Sequence, residues 1–117
     1  MLHEHVGLNV AVLRGTVSSD PKVRDLPSGS SVTNVEVTTR LDASTCSVPV
    51  VVHDATVTVA AGDEVVVVGH VARRFFRAGG VTQSRTEVVA RSIVKASRRR
   101  SVERAVGAVV EAISRAA

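Results

Sequence analysis

The sequence predicts an all-β fold, a small Greek-key barrel of about five strands, with a C-terminal amphipathic α-helix. Three observations carry this. Valine dominates the apolar residues, and β-branched side chains fit pleated, half-buried surfaces. Turn signals at Asp20-Pro21, Pro27–Ser30, Ala61–Asp63 and Ala78–Gly80 divide the chain into strand-sized pieces. After Arg100 the apolar spacing shifts from two to between three and four. At 117 residues the chain makes one domain with room for a real core.

The elements follow in order. Leu8–Val17 reads as a first strand, with Gly15 where a strand bulges or bends. Lys22-Val23-Arg24 is short enough for a brief strand or an irregular arm. Ser31–Thr39 is a second strand with Val32, Val35 and Val37 as its apolar residues, and residues 40–45 form a polar loop. The third strand, Ser47–Val52, contains Pro49 and so lies partly at an edge or a bulge. Glu64–Arg77 opens on Val65–Val68, apolar on both faces. One face would line the barrel and the other would meet a neighbouring subunit or the C-terminal helix. Gly79-Gly80 turns the chain into a last strand, about Val81–Val94. In the tail, Val102, Val106, Val109 and Ile113 form one helical stripe, Ser101 can cap it, and Ala105, Ala108 and Ala112 permit close packing beside it. Glu103 suits the first turn and Arg115 the last. The expected organisation is an arm (1–7), a barrel domain (8–96), and a basic linker with helix (97–117). Such a barrel is the OB-fold architecture, although an open β-sandwich satisfies the same strand count.

Charge is unevenly distributed. Residues 1–69 hold four basic residues against eight acidic ones, whereas residues 70–100 hold nine basic ones against Glu87 alone. That block is where a polyanion would bind, and a solvated strand surface is the plainer alternative. The lone Cys46 excludes an internal disulfide, and no apolar run or leader suggests a membrane span, so a reduced cytoplasmic setting is expected. Catalytic motifs are absent: no phosphate-binding glycine loop, no zinc-type histidine or cysteine spacing. His3 and His5 alternate but sit at a fraying terminus, so no metal or other cofactor is expected, and no enzyme.

Several phrases resemble the bacterial single-stranded-DNA-binding family in order and spacing. They are Asn9–Gly15, Asp20–Arg24 with Leu26–Gly29, Asn34–Thr39, Gly62–Val71 and Thr86–Ala90. The resemblance implies an OB-fold, single-stranded DNA as ligand in replication, recombination or repair, and a homodimer or homotetramer. The departures concern the residues that stack on bases. The family's tryptophan at the start of the third strand is replaced here by about Ser47, the aromatic near its end by His53, and the tryptophan after the second strand by Leu41-Asp42-Ala43. Asp54–Ala60, in place of the family's helical segment, alternates like a strand, and the family's acidic tail is missing. The aromatic ending the long fourth strand has a counterpart in Phe76, beside Phe75.

Binding single strands takes cations for phosphates and flat faces for bases, each stack contributing about 1–3 kcal/mol. Alternation puts His70, Arg74 and Phe76 on one face of the fourth strand, and Val71, Arg73, Phe75 and Arg77 on the other. Phe76 is the candidate for stacking, and Phe75 reads as a plug for the barrel end. Arg73, Arg74, Arg77 and Arg85 are the candidates for phosphate contacts, while Arg98–Arg100 read as a charged linker. The competing reading is an OB-fold scaffold that has lost most nucleic-acid binding and serves protein assembly, its C-terminal helix meeting a protein partner.

Overall fold

The computed structural model describes residues 7–116. Its elements in chain order are β1 (Ala11–Val17), β2 (Lys22–Asp25), β3 (Ser31–Leu41), β4 (Ser44–His53), β5 (Glu64–Ala78), β6 (Val81–Lys95) and α1 (Arg99–Ala116). The strand order is β1-β5-β6-β4-β3-β2, and a further β1–β3 pairing closes β1, β5, β6, β4 and β3 into a ring. The five-stranded barrel expected from the sequence is therefore present, and Lys22-Val23-Arg24 belongs to a sixth strand hung on the outside of β3.

Closure requires β1 to serve two partners. It pairs with β5 from Ala11 to Thr16 and with β3 at Thr16 and Val17. At the changeover, a Cβ on Gly15 would run into the Thr38 carbonyl oxygen, so the close crossing needs glycine there.

Two expectations between β3 and β6 are corrected. The polar loop at 40–45 is mostly strand: Leu41 pairs with Ser44, and only Asp42-Ala43 turns, with Asp42 at φ 51°. Aspartate tolerates this left-handed conformation, and the valine pairs further in carry the register outward. Conversely, the alternating Asp54–Ala60 segment forms no strand. Val59 is buried in the core and Val57 packs partly against it, so the alternation records burial without a ladder partner. Pro49 faces Glu36 of β3, while β4 meets β6 only at Val50 and Val51; the missing N–H falls where β4 has a free edge.

Valine fills the barrel. Val17, Val35, Val37, Val50, Val59, Val65, Val67 and Val88 form the interior cluster. Val66 and Val68, the alternate residues of β5, face outward and are covered by Val109, with Val102 and Ala105 beside it. The doubly apolar run of β5 thus has the barrel on one side and α1 on the other.

The helix is phased differently from the sequence expectation. Val102 and Val109 pack inward, but Val106 and Ile113 of the expected stripe are exposed, as is Val110. The alanine flank turns toward the barrel because small side chains let the helix axis approach the sheet. The start is also three residues earlier than a Ser101 cap implies, at Arg99 where that cap would give Val102. Arg98 accepts the first helical bond from the Val102 N–H at 3.0 Å, and Ser101 instead accepts from the Arg104 guanidinium at 3.3 Å. The first turn consequently holds Arg99 and Arg100 and no acidic residue, so Glu103 lies beyond it; Arg115 does occupy the last turn.

Candidate nucleic-acid interface

The β5–β6 hairpin carries the basic block, and its shape begins at a bulge. Val68 pairs with Ser92 and Gly69 with Ala90, which leaves Arg91 as the extra residue of β6. A Cβ on Gly69 would collide with the Val89 carbonyl oxygen, so the bulge closes only around glycine. Beyond it the ladder runs regularly to Ala78 and Val81.

Cross-strand partners share a face, which sorts the candidate residues. Arg74 lies opposite Arg85 and Phe76 opposite Gln83 on one face; Arg73 lies opposite Thr86, Phe75 opposite Ser84 and Arg77 opposite Thr82 on the other. The five residues expected to bind nucleic acid are therefore divided: Arg74, Phe76 and Arg85 stand together, and Arg73 and Arg77 stand apart from them.

On the first face the Arg74 guanidinium sits 5.2 Å from the centroid of the Phe76 ring. That arrangement is a cation–π pair, with the guanidinium over one side of the ring. Glu87, one rung toward the barrel, is buried with its carboxylate 3.5 Å from Arg74 Nε and 3.9 Å from Arg85 Nε. This face opens on a groove of about 320 Å³ between the hairpin and the β2–β3 pair. Lys22 and Arg24 of β2 line its far wall, and Asn34 and Glu36 of β3 lie along it. Four cations thus converge from two strand pairs, with Asp20 and Glu36 as the acidic members of the lining.

The second face is simpler. Phe75 is 67% exposed, so it does not plug the barrel end as the sequence suggested. Beyond Val88, the last residue of β6 paired with β4, the hairpin projects past the closed ring. Arg77 Nη2 donates to the Gly80 carbonyl at 2.8 Å, which ties it back to its own turn. Arg98–Arg100 lie at the other end of the hairpin: Lys95 pairs with Val65, nine residues along β5 from Arg74, or roughly 30 Å of strand.

Comparison with known proteins fits this geometry. The model of the single-strand binding protein family matches residues 8–96. The chain belongs to the single-strand binding protein family. Single-stranded DNA binding is accordingly its class of activity. Among solved structures, a chain described as the Plasmodium falciparum SSB complex with ssDNA superimposes with a TM-score of 0.67 at 20% identity, covering 80% of this chain and 98% of that one. That likeness establishes the shared OB-fold. No curated protein matches the chain.

Within the family frame, the positions where aromatic residues were expected are plain surface. Ser47 shares a 2.9 Å hydrogen bond with Thr38 across the β3–β4 hairpin, and His53 stands exposed at the end of β4. The sequence reading left out of the site Lys22 and Arg24, whose period-two spacing in the short β2 segment was the available signal for their place along the groove. His3 and His5 lie outside the described residues.

Proposed function

We propose that single-stranded DNA runs through the groove between β2–β3 and the β5–β6 hairpin. Lys22, Arg24, Arg74 and Arg85 contact phosphates, and a base stacks on the side of Phe76 that Arg74 does not cover. The observation that carries this is the convergence of those four cations on one groove, whose Arg74 is also the cation paired with the Phe76 ring. Arg73, Phe75 and Arg77 on the opposite face extend the path around the hairpin tip. With few rings available, affinity depends on phosphate contacts more than on stacking, and it falls steeply with salt. The binding unit is residues 8–96, and residues 97–117 supply the basic linker and helix.

The protein acts in this reading as a non-enzymatic, cytoplasmic binder of DNA intermediates in replication, recombination or repair. It assembles as a homodimer or homotetramer. The exposed flank of α1, with Val106, Val110 and Ile113, supports assembly through the helix, either with a second copy or with a protein partner. Among the described residues no helix is long and apolar enough to cross a membrane.

The test is fluorescence anisotropy of labelled oligo-dT against a duplex of equal length across a salt series. Preferential single-strand binding that weakens steeply with salt is expected. Absence of binding at low salt would leave the barrel as a scaffold.

A further inference from the structure

We infer that Glu87 is a positioning residue, whose buried carboxylate holds Arg74 and Arg85 in the posture in which they meet phosphate. This rests on the groove being the single-strand site.

Glu87 is the only acidic residue between positions 70 and 100, yet it is among the most buried residues of the hairpin, with its side chain 7% exposed. Its Oε1 has no hydrogen-bond partner among the described residues. What it does have is two guanidinium groups within ion-pair distance, each approached at Nε, 3.5 Å for Arg74 and 3.9 Å for Arg85. Both arginines are nearly half exposed. The carboxylate therefore lies beneath and the cations above it, toward the groove.

The ladder explains how this arrangement is built. Arg74 and Arg85 are direct cross-strand partners, a pairing of like charges that is unfavourable by itself. Glu87 is two residues from Arg85 on the same strand and diagonal to Arg74. Its own partner is Ala72, which leaves room for the carboxylate to lie flat under both. A buried anion with no hydrogen bond cannot let its counter-ions leave without a large desolvation penalty. The two arginines are thus tethered by their inner edge. An approach at Nε leaves free the end-on edge of each guanidinium, formed by its two terminal nitrogens. That edge can grip a phosphate in bidentate fashion. The same tether keeps Arg74 over Phe76.

Glu87→Gln separates this role from simple charge balance, because the two predict opposite signs. Removing an anion from beside a phosphate site should tighten binding if only net charge matters. Loss of positioning should weaken oligo-dT binding by about 3–10-fold, the scale of one well-placed polar contact. Acting through the arginines, the substitution should have no further effect in an Arg74→Gln, Arg85→Gln background. Tighter binding by Glu87→Gln, or an equal loss in both backgrounds, would overturn the inference. Should the variant fail to fold, the wild-type protein still decides. Arginine Nε–H signals in NMR should show two dispersed, ordered side chains without DNA, and averaged signals would refute the tether. If the wild-type protein itself fails to bind oligo-dT, the groove reading falls first, a result visible before any variant is made.

Discussion

Arg74 and Phe76 touch each other, yet their removal should leave different signatures. Each phosphate neutralised on a single strand contributes about −0.7 to the slope of log affinity against log salt. If Lys22, Arg24, Arg74 and Arg85 each meet one phosphate, the wild-type slope is about −2.8, and affinity falls about 50-fold between 50 and 200 mM salt. Arg74→Ala should reduce the slope to about −2.1, so that the same salt step costs about 18-fold. Phe76→Ala removes a stack and no charge. Its line should run parallel to wild type, displaced by about 1–3 kcal/mol, or roughly 5- to 150-fold in affinity. Anisotropy titrations of a labelled oligo-dT at four or more salt concentrations would resolve both. A Phe76→Ala line lying on the wild-type line would refute the stacking role, and an unchanged slope for Arg74→Ala would refute its phosphate contact.

Other consequences concern the frame that holds the groove. Gly69→Ala would drive a methyl group into the Val89 carbonyl at the bulge, and should destabilise the fold by about 1–3 kcal/mol or more in urea denaturation. Val109→Ala removes the main contact of α1 with Val66 and Val68; a loss of about 1.5–2 kcal/mol is expected in the same assay. Replacing Val106, Val110 and Ile113 together by serine should leave folding intact but lower the mass seen by light scattering, if assembly uses that flank. An unaltered mass would exclude α1 from the interface.

Much of this architecture is legible in residue order because period two survives into the structure. The Val65–Val68 run is buried on both sides as its composition requires, and alternation correctly places Arg74 with Phe76 and Arg73 with Phe75. What alternation does not encode is whether a burying segment has a ladder partner, hence the strand that Asp54–Ala60 does not form. Nor does apolar spacing state how closely a helix can approach a sheet, which is why the alanine side of α1, rather than its full valine stripe, turns inward.

The groove depended on information that no local pattern holds. Lys22 and Arg24 are far from the hairpin in sequence, and they reach Arg74 and Arg85 only because β2 hangs on β3 and the barrel closes. Glu87 read as an isolated acid in a basic block. Its burial beneath two arginines follows from the cross-strand register, where Ala72 gives it room. Phe75 was misassigned because a ring next to a Gly-Gly turn suits a barrel plug, whereas the hairpin runs on past its last barrel pairing at Val88 and leaves the ring exposed.

The most direct test of the proposed site is NMR titration of the labelled protein with oligo-dT, following backbone amides. Shifts should concentrate in β2, the first half of β3 and the β5–β6 hairpin beyond Gly69, with Lys22, Arg24, Arg74, Phe76 and Arg85 among the largest. Shifts confined to α1 and the face it covers, or none at all, would contradict the groove.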